Sequence, residues 1–246
     1  MRAPAISFTI VRHAAWAPGV ETPEAWMRWS RAPAPIEREG EPGVKQMPAM
    51  LRRRAGQLGK MVLQVAYDCL GDNSGVPMVF CSRHGEVGRA MELLGQLARA
   101  EALSPAAFGM AVHNATAGLF SIARSERSNH VALAAGASSL EHAVIEACGL
   151  LADGAPQVLL VAGDCPLPEF LQQFEDCAEQ PHAFAWLLAP AGEDSMTLSW
   201  QADADAGAEA AAAGPGTLDV LRFYLSGAPA LERAASNRRW RWSRDA

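Results

Sequence analysis

The chain has 246 residues, half of them hydrophobic and one fifth charged, which is typical of a globular protein with one large or two small domains. Its net charge of −6 argues against a general nucleic-acid-binding surface. The five cysteines show no C-x-x-C spacing and no signal peptide is recognised, which predicts reduced thiols and a cytoplasmic location. The apolar run of residues 3–11 is too short to span a bilayer.

Residues 1–100 alternate between short apolar runs and stretches with helical periodicity. The pattern predicts a first strand over 6–11 and a turn over 13–19. A helix is predicted to start at Thr22 and Pro23, because Thr is a preferred N-cap and Pro fits the first helical position. After a loop over 30–46, we expect one long helix over 48–70, a strand over 77–82 and a helix over 87–100. Three tryptophans are predicted to be packing anchors: Trp16, Trp26 and Trp29.

Two polar features in this part of the chain have a functional and a structural interpretation. The run Arg52-Arg53-Arg54 is interpreted as the solvated face of the long helix, and the alternative is a site for a phosphate-bearing partner. His84 follows a predicted strand, where a hydrogen-bonded loop side chain is favoured over a catalytic one.

The segment 108–123 is predicted to be a helix. Val112, Thr116 and Phe120 are four residues apart, so they are expected to share one helix face.

The stretch 128–164 predicts a strand, a tight turn, a helix and a second strand. The first strand covers 131–135, and the second, over 158–162, is apolar enough to be covered on both faces. Between them, the small residues 136–139 allow a sharp turn into the helix, with Ser138 or Ser139 predicted to cap it. Asp153 and Gly154 are predicted to end the helix. A turn of this kind usually presents a nucleophile at its tip.

Residues 134–140, which read AAGASSL, resemble the nucleophile turn of β-ketoacyl synthases, the condensing enzymes of the thiolase-like superfamily. The pattern in that family is approximately Thr-Ala-Cys-Ser-Ser-Ser-Leu. Gly136 occupies the position of the catalytic cysteine, and a glycine has no side chain to attack a thioester. The resemblance therefore indicates a condensing-enzyme scaffold without its nucleophile.

The resemblance implies an α/β fold, a single thiolase-like half with a mixed central sheet, helices on both faces, and an appended C-terminal helix and tail. It also implies that strand 131–135 pairs with the same strand of a partner subunit across a two-fold axis. The helix face of Val112, Thr116 and Phe120 either lines an acyl tunnel or packs in the core. The residues assigned to the tunnel or the interface are Val112, His113, Asn114, Thr116, Phe120, Val131, Leu133, Ala135 and Ser138.

The C-terminal part completes the predicted domain organisation. A short helical piece is predicted over 169–174, and two antiparallel strands over 183–188 and 196–200 are joined through Pro190 and Gly192. We predict a ketosynthase-like N-terminal half domain over 1–202, an Ala/Gly-rich linker over 203–216, and a C-terminal helix (218–225) and Arg/Trp tail within 217–246. The tail is interpreted as an edge strand or a partner-docking segment rather than a nucleic-acid-binding one.

Catalysis by this chain alone is not expected. Full ketosynthases carry two catalytic histidines in a second half, and the sequence is expected to end before such a half. Cys148 and Cys165 do not lie at the tip of the turn. Ser138 does not fit the G-x-S-x-G pattern of hydrolases, because Leu140 replaces the final glycine.

The resemblance implies a non-catalytic subunit similar to a chain length factor. It would form a heterodimer with an active ketosynthase in fatty acid or polyketide biosynthesis of the aryl polyene type. The implied partners are that ketosynthase and an acyl carrier protein, without nucleic acid, membrane, cofactor or metal, and a homodimer of the isolated chain stays open. The alternatives are a self-sufficient acyl-thioester enzyme that uses another Cys or Ser, and a stand-alone module that binds acyl carrier protein.

Overall fold

A computed structural model describes residues 4–203 and 214–244. The described residues form one mixed eight-stranded sheet. The strands are β1 (Ala5–Trp16), β2 (Met78–Cys81), β3 (His130–Leu133), β4 (Val158–Asp164), β5 (His182–Pro190), β6 (Met196–Ala202), β7 (Ala230–Ala235) and β8 (Arg238–Arg244). Their order in the sheet is β3-β2-β4-β5-β1-β6-β8-β7. Strands β2, β3 and β4 are parallel, and the other neighbours pair antiparallel.

Helices cover both faces of the sheet and bury two hydrophobic clusters, as the sequence predicts. The helices are α1 (Pro23–Arg31), α2 (Ala49–Arg52), α3 (Gln57–Leu70), α4 (Val87–Ala98), α5 (Pro105–Gly109), α6 (Ala115–Arg124), α7 (Ser139–Ala152) and α8 (Gly216–Ser226). One cluster packs α1, α7 and α8 against the sheet and contains most of the tryptophans, and the other packs α3 and α6 against the opposite face. No helix in the described ranges combines the length and the apolar composition needed to cross a membrane.

Several local predictions are confirmed. Thr22 caps α1, its Oγ1 accepting a bond from the Ala25 amide at 3.2 Å. Trp16 and Trp26 are buried, and Trp29 packs edge-to-face on Trp26. Helix α7 ends before Gly154, which has a φ of +102°. Strand β4 is buried along its whole length, as a strand between two helical layers must be.

The first strand is longer than predicted. Residues 13–16 were expected in a turn, but they continue β1 because they pair with β5, with Trp16 opposite Ala183. The two halves of β1 have different neighbours, since β6 pairs with its beginning and β5 with the remainder. The predicted antiparallel pair of strands 183–188 and 196–200 is therefore wrong: β1 lies between β5 and β6, which run parallel to each other.

Two further predictions are corrected by the tertiary structure. The single helix over 48–70 is divided into α2 and α3, because the backbone is extended at Gly56, where ψ is −172°. The tail is not an edge strand, since β8 lies between β6 and the unpredicted strand β7. Its alternation is as predicted, with Trp240 and Trp242 buried and Arg239 and Arg241 exposed. Most of the predicted linker, residues 204–213, lies outside the described residues, and the domain boundaries stay a prediction.

Candidate functional site

The tip of the turn between β3 and α7 carries no side chain and is open. Gly136 is exposed and has a φ of +56°, the left-handed region that favours glycine. A Cβ added at this position would meet no atom within 4 Å. The turn therefore has room for a side chain that the sequence does not provide.

Two serine hydroxyls stabilise the backbone of this turn through hydrogen bonds. Ser138 is buried, with its Oγ 3.2 Å from the Ala135 carbonyl oxygen and 2.9 Å from Ser236 Oγ. Ser139 Oγ accepts from the Ala135 amide at 2.9 Å and donates to the Gly136 carbonyl at 2.8 Å. Neither makes the predicted cap: Ser138 makes no side-chain cap bond to an α7 amide, and Ser139 accepts from a residue before the turn. Both hydroxyls are buried and hydrogen-bonded, so neither is exposed to a substrate as a nucleophile would be.

The thiols of this chain are poorly suited to nucleophilic attack. Burial raises the pKa of Cys148 to about 11 and the pKa of Cys69 to about 12. Burial also raises the pKa of Cys165, and the neighbouring Asp164 carboxyl raises it further. Because the thiolate is the reactive form, these groups are protonated and inert at neutral pH. The same holds for the buried Cys81 and for Cys177, whose pKa burial raises to about 11.

Strand β3 forms one edge of the sheet and leads directly into the turn. The Met78 and Ser82 amides donate to the carbonyls of Asn129 and Leu133, so the odd-numbered residues of β3 direct their backbone groups at β2. Ala132 consequently directs its N–H and C=O away from the sheet. Among the predicted interface residues, Val131 and Leu133 are half-buried and hold β3 to β2.

The segment before β3 corrects the predicted helix face. Helix α6 begins only at Ala115, so Val112 lies in the preceding turn and is 44% exposed. Thr116 and Phe120 share a face of α6 and are buried. The Phe120 ring packs edge-to-face on Tyr67 at 5.0 Å and borders a small cavity of about 20 Å³ with Met78. The sequence left two interpretations of this helix face, the lining of an acyl tunnel and core packing. The contacts of Phe120 are those of core packing.

His113 and Asn114 also come before α6. His113 Nε2 lies 2.9 Å from the Ser82 carbonyl oxygen, and its ring covers Gly85. A Cβ on Gly85 would approach the His113 ring to 2.8 Å, and the φ of +57° also requires glycine there. His113 thus fixes the loop after β2, whereas Asn114 is exposed at the N-terminus of α6.

His84 belongs to an ionic cluster at the carboxyl ends of β2 and β4. Its Nε2 lies 2.7 Å from Glu179 Oε1, and this hydrogen bond raises the pKa of His84. The favoured interpretation of a hydrogen-bonded loop side chain matches this geometry. The oxygen and sulfur ligand atoms of Asp176, Cys177 and Glu179 lie within 4.8 Å of one another. Arg83 already donates to Asp176 at 2.5 Å and to Cys177 at 3.2 Å, so a guanidinium occupies the place where a metal ion would bind.

A buried ion pair beneath the turn was not predicted from the sequence. The Glu141 side chain is fully buried on α7 and pairs with Arg233 of β7. Glu141 Oε1 also accepts from Trp242 Nε1 at 3.3 Å, and Arg233 Nη2 donates to the Ala137 carbonyl at 3.2 Å. The sequence does carry a signal for this ion pair, which is a glutamate inside an apolar helical stripe. A carboxylate that is buried requires a cationic partner.

The arginine run occupies two different environments. Arg52 donates to the carbonyls of Gly43 and Val44 at 3.1 and 3.2 Å, so it holds the preceding loop. Arg53 and Arg54 are exposed. Arg89 donates to the Arg54 carbonyl at 3.0 Å and lines a neighbouring pocket of about 320 Å³.

The chain belongs to the β-ketoacyl synthase family, because the family model for the β-ketoacyl synthase N-terminal domain matches residues 26–243. Among solved structures, it is similar to a ketosynthase in complex with its chain length factor from Xenorhabdus doucetiae. That match has 27% identity and a TM-score of 0.86, and it covers 97% of this chain and 100% of the other.

Two more distant structures share the fold. The ishigamide ketosynthase/chain length factor matches with 15% identity and a TM-score of 0.65, over 90% of this chain and 74% of the other. A type II polyketide acyl carrier protein in complex with its ketosynthase matches with 10% identity and a TM-score of 0.70, over 100% of both chains. Among curated proteins, no sequence matches the chain significantly.

Proposed function

We propose that this chain is a non-catalytic subunit similar to a chain length factor, which pairs with an active β-ketoacyl synthase. The observation that carries the proposal is the open turn at Gly136: the fold builds the position of a nucleophile and leaves it without a side chain. A ketosynthase partner would supply the thiol and the histidines. This chain would supply one side of the interface and part of the wall of the acyl tunnel.

The edge of β3 supports the pairing. Its outer backbone groups are not taken up by the sheet, and unpaired strand edges are templates for another strand. Strand pairing through Ala132 would place the turn of this subunit beside its partner. The similarity to a ketosynthase in complex with its chain length factor supports a ketosynthase as the partner. We extend it to aryl polyene-type polyketide or fatty acid synthesis.

The proposal predicts that the isolated chain is not labelled by an acyl chloromethyl ketone or a fluorophosphonate. Among the cysteines and at the Gly136 turn, the raised thiol pKa values and the buried, bonded Ser138 hydroxyl leave no activated nucleophile. Mass spectrometry after incubation measures the labelling, with a catalytic ketosynthase as the positive control. Stoichiometric labelling of this chain at a Cys or Ser would favour the self-sufficient acyl-thioester enzyme instead.

An acyl carrier protein is the second proposed partner, and we propose that its anionic groups meet Arg53 and Arg54. Both are exposed in a chain of net negative charge, beside the pocket lined by Arg89. We expect Arg53→Glu with Arg54→Glu to weaken carrier-protein binding by about tenfold in low salt and less in high salt, as screening requires.

Fluorescence titration of the carrier protein against the chain, alone and with its ketosynthase, measures that loss. The control is Arg238→Glu with Arg241→Glu on β8, another pair of exposed arginines. An equal loss in both double variants would show only a general charge effect and would remove Arg53 and Arg54 from the proposed contact.

A further inference from the structure

The hairpin of β7 and β8 contacts the turn at Gly136 from the opposite end of the sheet. Its two-residue turn, Ser236 and Asn237, has φ values of +53° and +57°, and both positive values fit the twist of a tight hairpin. The Ser236 hydroxyl lies 2.9 Å from that of Ser138. The most distant strands of the sheet order, β3 and β7, are thereby connected through α7 and its preceding turn.

Arg233 makes the strongest of these connections, because its fork reaches two groups at once. One terminal nitrogen pairs with the Glu141 carboxylate, and the other donates to the Ala137 carbonyl at 3.2 Å. Its side chain is 11% exposed and that of Glu141 is not exposed at all, so water competes little for these bonds. Ala137 adjoins Gly136, so this second bond reaches the residue next to the tip of the turn.

The first residue of α8 is shaped to admit the Arg233 side chain. A Cβ on Gly216 would lie 1.5 Å from Arg233 Nη2 and 2.2 Å from its Cζ. Gly216 does not have a positive φ, so alanine can adopt its backbone conformation. The absence of a side chain there is thus explained by the guanidinium and not by the backbone.

From these contacts we infer that Arg233 is a positioning residue: through Ala137 and Glu141 it holds the Gly136 turn in the shape that the ketosynthase partner contacts. The role in partner recognition rests on the proposed function, whereas the effect on the turn does not.

Amide hydrogen exchange in the isolated chain tests the first half of this inference. The Ala135, Ser138 and Ser139 amides are bonded within the turn, to Ser139 Oγ and to the Ala135 and Gly136 carbonyls. In Gly216→Ala, which displaces the guanidinium, we expect their exchange to be at least about tenfold faster, and the β4 amides to change less. The control is Gly149→Ala on α7, an exposed position where a Cβ meets nothing within 4 Å.

Arg233→Lys separates positioning from charge. A lysine retains a cation opposite Glu141, but its single ammonium group does not reproduce a fork that bonds the carboxylate and a carbonyl together. We expect unfolding in urea to stay close to that of the original chain, while the turn amides exchange faster. Unchanged exchange in both Arg233→Lys and Gly216→Ala would overturn the inference.

Binding to a full-length ketosynthase from the same organism tests the second half. We expect both variants to lose about tenfold or more in affinity by biolayer interferometry, and Gly149→Ala to bind as the original chain does. Faster exchange with full affinity would overturn the role in recognition. Failure of the original chain to bind would instead contradict the proposed function, and the exchange experiment would still decide whether Arg233 holds the turn.

Discussion

Ala132→Pro is expected to abolish the complex with the ketosynthase while the chain itself stays folded. Ala132 directs its N–H away from β2, so a proline there removes no bond of the existing ladder. It does remove the donor that a partner strand would need, and its ring obstructs close approach. We expect a loss of at least about 100-fold in affinity, equivalent to about 2.8 kcal/mol.

Size-exclusion chromatography and interferometry with the purified ketosynthase measure this loss, and circular dichroism reports whether the fold is retained. The matched control is Ala230→Pro on β7, the strand at the other edge of the sheet. The Arg244 amide bonds to the Pro229 carbonyl, so by alternation Ala230 also directs its N–H outward. Full affinity of Ala132→Pro, or an equal loss in Ala230→Pro, would contradict pairing through β3.

Gly136→Cys is expected to create the single reactive thiol of the chain without creating an enzyme. The space around a Cβ at this position is open, so the thiol would be exposed at the entry to α7, where the helix dipole favours a thiolate. The positive φ imposes a strain of about 1–2 kcal/mol on a residue with a side chain. The five native thiols remain protonated because burial raises their pKa values.

We expect iodoacetamide at neutral pH to modify the introduced thiol at least about tenfold faster than any native cysteine, as measured by mass spectrometry. Condensation activity on acyl and malonyl thioesters should stay at background, because a nucleophile without oxyanion donors contributes little. Turnover by the isolated variant would show that the chain itself carries the remaining catalytic groups, which would contradict the proposal that a ketosynthase partner supplies them. Slow labelling would show that the tip is not open.

Local sequence signals correctly predicted the elements that are determined by nearby side chains and turn residues. The N-cap at Thr22, the break at Gly154 and the apolar run of β4 are each decided by residues within a few positions. The hairpin of β7 and β8 was missed, because its turn is Ser-Asn rather than the strongly predictive Asn-Gly.

The wrong predictions for the strands share a physical cause. The extension of β1 past Arg12 and its position between β5 and β6 depend on pairing with residues about 170 to 190 positions away. The identity of the partner strand is a property of tertiary packing, which overrides local propensity. Val112 was placed on a helix by its spacing alone, but the helix begins three residues later.

The amino-acid sequence alone establishes that Gly136 supplies no nucleophile, because no fold can give a glycine a side chain. It also determined the alternation of the Trp and Arg residues in the tail, since a strand sends successive side chains to opposite faces. The contacts of the C-terminal hairpin with the turn, in which Arg233 of β7 bonds to Glu141 and Ala137, depend on the tertiary structure. Those contacts join residues about 92 and 96 positions apart, and a pairing at that distance is determined by the order of strands in the sheet.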